Sequence, residues 1–459
     1  MTVSRRTGIL FTLLTAILLL PTLAGCSDEP TVKERPEVLK VLDTDAMNFN
    51  MLYGDYINAL YPDTTIKLIT SKAISDYSLP FKERIKGYID LVQREQPDLI
   101  IIRNNQTYRA LADQGLLADL SPYMNKAGLN DGHIHPGVLE IMKQNKDGQL
   151  YGIAPAFDAL QLFYNKDLFE KYGIEPPHDG MTWAELLDLS YRFTAADKSS
   201  SGVIGYYESF SSPLDLAYSI GETEGIAMHR LSQGMMTVNT PAWRSVFQTV
   251  LSNYKNGTFR AMTPEGKISA EGTTYYDEQA MKSADWFGQG KAAMSLGRAG
   301  NFNESKVKFK VGAVNPPVDE GTRTRSSSFN ANQILAVRAG SPLTEASWGF
   351  IQFMLSDYVA KVSTVQSAMY GVPSNLSFQQ WTKDEREQAL YRQMPALRPN
   401  DDLVEVDNAF YSKMNDMLKH EIDAALADKH TIDDMLGRMQ EQGQAMIDAA
   451  LKEAGKKSG

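Results

Sequence analysis

The chain reads as an α/β protein, on three observations. Short apolar runs alternate with amphipathic stretches over its first hundred residues, one run is apolar almost throughout, and several later helices announce their starts with capping residues. Glu37–Leu42 (EVLKVL) predicts the first strand and Asn48–Tyr61 a helix. Thr65–Ile69 predicts a second strand and Phe81–Gln93 a second helix. Asp98–Ile102 is the nearly all-apolar strand expected where a parallel sheet is covered on both faces.

Further along, Thr182-Trp183-Ala184-Glu185 is a capping box, in which the Thr hydroxyl and the Glu carboxylate each serve a backbone N–H of the first turn; it opens a helix over Trp183–Phe193. Ser341-Pro342 predicts a helix with Pro at its first position, where the missing N–H costs nothing. Thr431 and Asp434 open the last helix, whose Ile432, Met435, Leu436 and Met439 share one face and read as core. Gly and Pro gather in Asn256–Thr274 and Asn315–Arg325, which read as surface loops. No internal repeat is present.

With 459 residues the chain is long enough to divide into two or more domains, each with its own core. At the front, Arg5 and Arg6 precede an apolar run from Ile9 to Leu20, then Pro21 and Leu23-Ala24-Gly25-Cys26, the layout of a cleavable signal peptide over 1–25. The apolar run is shorter than the roughly 20 residues a membrane span needs. Cys26 is the single cysteine, so it has no intramolecular partner. Leu-Ala-Gly-Cys resembles the bacterial lipobox, which implies that Cys26 is acylated and that the lipid holds the chain to a membrane on its extracytoplasmic face. Residues 26–36, polar and carrying Pro30 and Pro36, predict a flexible tether; residues 456–459 predict a frayed tail.

The whole chain carries a formal charge of −10, and residues 1–25 hold two bases and no acid, which leaves −12 on the remainder. An acidic surface argues against nucleic acid, whose phosphates need clustered Lys and Arg. Six His and no cysteine in the body leave little for transition-metal chemistry. His133 and His135 flank Ile134 beside Pro136, a spacing that suits a loop rather than a metal-binding pair. G-x-S-x-G, H-E-x-x-H, P-loop and G-x-G-x-x-G signatures are all missing. No catalytic residue, metal or cofactor is assigned.

Four stretches carry a family resemblance: Pro97–Ile100 with Ala110–Leu120; Leu150–Pro155 with Phe163–Ile174 (FYNKDLFEKYGI) and the Thr182-Trp183 start; Phe287–Met294 with Val311–Pro317; and Glu345–Ile351 with Tyr370–Pro373 and the Thr431 helix. Together they resemble the family 1 extracellular solute-binding proteins, whose best-known members are sugar carriers similar to maltose-binding protein. The resemblance implies a two-lobed periplasmic-binding-protein-like fold with a hinge and an interlobe cleft. Lobe 1 would be 37–153 plus 311–340, and lobe 2 would be 154–310 plus 341–455. It implies a monomer that captures a small-molecule solute, a carbohydrate first, and hands it to ABC permease membrane subunits. Ligand touches both lobes only in the closed state and so stabilises closure.

By the same resemblance the cleft turns supply the binding residues, because a sugar offers an apolar face to aromatics and a polar edge to charged and amide groups. On lobe 1 these are Arg103, Asn104, Asn105, Gln106 and Tyr108; at the crossing, Phe157 and Asp158; on lobe 2, Tyr207, Glu208, Asp215, Trp286, Arg298 and Phe302; and near the hinge, Tyr370. Arg103, Asn104 and Asn105 also suit capping of the next helix. Trp183 and Trp348 read as core anchors. Where maltose-type carriers place stacking aromatics, this chain has Arg103, Ser212 and Gly300, with Phe302 nearby. That argues against a linear glucan and admits an acidic or heavily hydroxylated solute at Arg103 or Arg298. An exported glycoside hydrolase working through paired carboxylates, and a ligand-loaded partner of a membrane sensor, are the alternative readings.

Overall fold

The computed structural model describes residues 35–74, 79, 81–129, 132–196, 202–269, 274–298, 307–331, 333–363, 371–396, 406 and 408–457. The signal peptide, Cys26, most of the tether, Gly300, Phe302 and Tyr370 lie outside the described residues. The longer strands, numbered in chain order, are β1 (Val38–Asp43), β2 (Thr65–Thr70), β3 (Leu99–Ile102), β4 (Leu160–Asn165), β5 (Ile204–Ser209), β6 (Phe259–Met262), β7 (Ala292–Arg298), β8 (Val311–Val314) and β9 (Ile334–Val337).

They form two sheets. The first is four-stranded, in the order β9-β3-β1-β2, with β1 parallel to β2 and β3 and with β9 antiparallel to β3. The second is five-stranded, in the order β8-β4-β7-β5-β6. There β7, β5 and β6 are parallel and β4 runs against both of its neighbours. Each sheet has its own core: Leu39, Ile100, Ala336, Trp348 and Ile351 gather in the first, and Leu162, Leu187, Tyr206, Phe247, Met294 and Met439 in the second. All four residues of β3 are buried, as its apolar run predicts.

The expected elements form close to their expected bounds, as helices Ala46–Phe49 and Asp55–Leu60 joined by the π-turn Asn50–Gly54, helix Phe81–Glu95 and helix Trp183–Ala196. The capping box closes reciprocally: the Thr182 N–H donates to the Glu185 carboxylate at 2.9 Å and the Glu185 N–H donates to the Thr182 hydroxyl at 3.3 Å. The last helix runs Ile432–Lys457, into the stretch expected to fray, with Asp434 N–H donating to the Thr431 hydroxyl.

Other expectations are corrected. β8 was assigned to lobe 1, yet it pairs with β4 from Val311↔Asn165 to Val314↔Leu162 and so edges the second sheet. Residues after 340 were assigned to lobe 2, yet helix Thr344–Met354 packs on the first core, where the Tyr61 hydroxyl donates to the Ala346 carbonyl. That helix begins at Thr344 rather than at Pro342, because the Ser341 hydroxyl donates to Asp98 at 2.6 Å and accepts the Leu343 N–H, which turns the chain first. The loop expected over Asn256–Thr274 contains β6, with Phe259 buried, and one arm of a hairpin, Lys267–Ile268 paired with Thr274–Tyr275.

A narrow ribbon joins the two cores. Ile153 pairs with Leu335 and Asp158 with Asn330, while Phe157 and Ala156 pair on their other side with Val372 and Pro373. Two chain crossings therefore run side by side between the lobes, and Val372–Pro373, which leads back into the first core at Phe378, braces them. This is the two-lobed, hinged α/β architecture with an interlobe cleft.

Candidate functional site

Parallel strands present their carboxyl ends together, and ligands of open α/β sheets gather there. In lobe 1, β1 ends at Asp43 and Arg103 directly follows β3, its parallel neighbour. Asp43 is wholly buried. Arg103 grips it with a fork, Nε to Oδ1 at 3.0 Å and Nη2 to Oδ2 at 2.7 Å, and lies 5.9 Å from the Tyr53 ring centroid. Burial pushes the Asp43 carboxyl above its ordinary range, and the Arg103 guanidinium pulls it back.

Asn104 caps the helix Asn105–Asp113, its side-chain oxygen accepting the Thr107 N–H at 2.7 Å. Asn105 and Gln106 are half-buried in its first turn. The Asn105 amide donates to Asn330 Oδ1 at 3.4 Å, which ties lobe 1 to the ribbon. Its own Oδ1 is screened from solvent with no hydrogen-bond partner. Tyr108, expected at the cleft, is instead a core residue: its hydroxyl donates to the Met142 carbonyl and accepts the Tyr151 N–H.

At the ribbon, Asp158 and Asn330 exchange backbone hydrogen bonds of 2.7 and 2.8 Å. The Asp158 carboxylate lies 3.6 Å from Arg298, the last residue of β7. Phe157 is corrected too: it is buried, stacked on Phe329 with centroids 4.6 Å apart, and beside His135. His135 caps the helix Pro136–Met142. Its Nδ1 accepts the Gly137 N–H at 3.0 Å and its Nε2 sits 3.1 Å from the Tyr391 carbonyl, so the proton belongs on Nε2. Burial pushes the imidazole down to about 4. His135 is thus a neutral structural residue of the hinge.

In lobe 2, β5 ends beside the same ribbon. The Glu208 carboxylate accepts from the Tyr206 hydroxyl and, at 2.7 Å, from Ser211, and burial raises its carboxyl. Ser212 caps the helix Pro213–Thr223 and its hydroxyl donates to Asp215 at 2.6 Å. Tyr207 points to the other face of the sheet, buried, with its hydroxyl on the Ala284 carbonyl and its ring stacked 5.1 Å from Trp286. Trp286 packs with Tyr207, Phe163 and Ala292, the end of β7 opposite Arg298. Neither aromatic is brought to the ribbon.

The structure therefore gathers Arg103, Asn104, Asn105, Gln106, Asp158, Glu208, Asp215 and Arg298 around the strand ends and removes Tyr108, Phe157, Tyr207 and Trp286. It adds Asp43, Tyr53 and Asn330, which the sequence reading missed, and Phe210. Phe210 adopts φ 56°, unusual for an aromatic, and stands exposed just after β5 with its ring edge-on to Tyr276 at 4.9 Å. Asp43 was within reach of sequence reasoning, since it directly follows the first predicted strand, Glu37–Leu42. Phe210 carried no such signal.

The family model for bacterial extracellular solute-binding proteins matches residues 48–361. The sn-glycerol-3-phosphate-binding periplasmic protein UgpB of Brucella abortus is 23% identical over 423 residues, covering 86% of this chain and 91% of its own. Among solved structures, the sugar-binding protein MalE from Xanthomonas citri superposes with a TM-score of 0.62 at 16% identity, covering 90% of this chain and 98% of its own. UgpB from Mycobacterium tuberculosis in complex with glycerophosphocholine does so with a TM-score of 0.56 at 13% identity, covering 91% and 99%. Two separately cored lobes, a ribbon of paired crossings between them and polar strand ends that meet at it agree with the family match: the chain belongs to the bacterial extracellular solute-binding proteins.

Proposed function

We propose that this chain is the lipid-anchored capture subunit of an ABC importer, held outside the cytoplasm by acylated Cys26, binding a small hydroxylated solute, a sugar or oligosaccharide first, and passing it to a membrane permease. The observation that carries the reading is the ribbon at Asp158 and Asn330. Strand ends of both lobes reach it, through Asn105 on one side and Arg298 on the other. A solute lodged there touches both lobes at once, and its binding energy is then spent on closing them.

The polar groups suit hydroxyls: the carboxylates of Glu208 and Asp215, the hydroxyls of Ser211 and Ser212, and the unpartnered amide oxygen of Asn105. The exposed Phe210–Tyr276 pair offers an apolar face of the kind a sugar ring covers. The relatives' ligands, sn-glycerol 3-phosphate and glycerophosphocholine, are likewise small and hydroxylated. The decisive test is a thermal-shift screen of the purified protein over mono- and oligosaccharides, polyols and uronates, paired with a hydrolysis assay on labelled glycans. A melting shift without turnover supports a carrier, since a ligand bound only by the native state raises its stability. Glycan cleavage refutes the carrier reading, and a flat response to every compound removes the sugar.

A further inference from the structure

Resting on the reading that the solute sits at these strand ends, we propose that the cleft selects uncharged or amine-bearing hydroxylated solutes and turns away phosphate esters and other anions, because each arginine on its walls is already neutralised by a carboxylate of the same chain. Arg103 spends two of its donors on Asp43, and its side chain is only 22% exposed while that of Asp43 is 0% exposed. An incoming phosphate would have to share that guanidinium with a carboxylate a few ångströms away. Swinging the arginine toward the solute would leave Asp43 buried without its counter-charge, a larger penalty than the exposed anion repays.

Arg298 is balanced by a looser pair, with its side chain 61% exposed. Its Nη1 lies 3.6 Å from Asp158, whose backbone is locked into the ribbon by both hydrogen bonds with Asn330. The ribbon thus keeps the Asp158 carboxylate beside the end of β7. Three more carboxylates stand on the same edges: Asp45 two residues beyond β1, and Glu208 and Asp215 on lobe 2. Among the described residues Lys72, whose charge acts on Asp45, adds a cation just past β2. An anion entering this space meets like charge at short range, whereas hydroxyls and ammonium groups donate to the same carboxylates.

Asp158→Asn tests this directly, since it releases Arg298 and leaves the backbone bonds of the ribbon in place. Titration calorimetry with sn-glycerol 3-phosphate and with glycerol as its uncharged twin is the readout. For the unaltered protein we expect no preference for the phosphate ester, and for Asp158→Asn a rise of about tenfold in the ratio of ester to glycerol affinity. Asp43→Asn, which frees Arg103, should gain in the same direction if it folds. An unaltered protein that binds the ester about tenfold or more tighter than glycerol, or an Asp158→Asn variant that folds and gains nothing, overturns the proposal. Failure of the carrier reading shows separately, as a flat response to the neutral panel while the charge-release gain is still measured.

Discussion

Asp43 and Arg103, 60 positions apart, form a two-pronged ion pair across the ends of β1 and β3, with the carboxylate buried and the guanidinium at the cleft. Removing one partner strands the other. Arg103→Leu should lower the unfolding free energy by about 3 kcal/mol, and Asp43→Asn combined with it should recover part of that loss. Urea unfolding of both variants is the check; an additive double variant would mean that the pair contributes through packing rather than charge.

His135 makes the hinge sensitive to acid. Its folded pKa of about 4 lies below its unfolded value of 6.5, so the unfolded chain binds the extra proton between these limits. The stability it contributes is complete above pH 6.5 and is lost as the pH falls toward 4. The full span is worth about 3 kcal/mol. Unfolding curves at pH 7.5 and pH 5 should show a smaller drop for His135→Asn, which keeps a helix cap, than for the parent.

Phe210 holds a left-handed backbone on an exposed site. Phe210→Asn relieves that conformation and should leave the melting temperature within a few degrees. Where the ring serves as a solute platform, the same change weakens affinity for a sugar found in the screen by about tenfold. A large fall in melting temperature would instead make the ring structural.

Gly371 adopts φ 82° just before Val372 pairs with the ribbon, and a Cβ there would lie 2.8 Å from the Phe157 carbonyl oxygen. Gly371→Ala therefore both strains the backbone and pushes on the hinge. It should cost about 2 kcal/mol or more in denaturant unfolding. Small-angle scattering with and without ligand would show closure impaired as well.

Cys26→Ser should move the protein from the membrane fraction to the soluble fraction of expressing cells, with globomycin treatment of the parent blocking its processing. Unchanged fractionation would remove the lipid anchor and leave the fold untouched.

Much of the fold was legible because its signals are local. Thr182 with Glu185, Asn104 with Thr107 and Thr431 with Asp434 each lie three residues apart, so the residue pattern alone places those helix starts. β3 could be read from four consecutive apolar residues. The sites were less legible. Tyr108, Phe157 and Tyr207 stand in the right turns and strands, but a side chain's direction depends on what packs against it, and each had a buried partner far along the chain.

Residue patterns alone were enough for most of the elements, the caps at Asn104, Thr182 and Thr431, the acidic balance, the solitary Cys26 and the family resemblance. The three-dimensional fold alone put β8 at the edge of the second sheet, laid the helix from Thr344 over the first, and turned Arg103 onto the buried Asp43 carboxylate. The reason is range: capping and periodicity act within a turn or a strand, whereas sheet membership and charge pairing join residues tens to hundreds of positions apart, and no local pattern encodes which of them will meet.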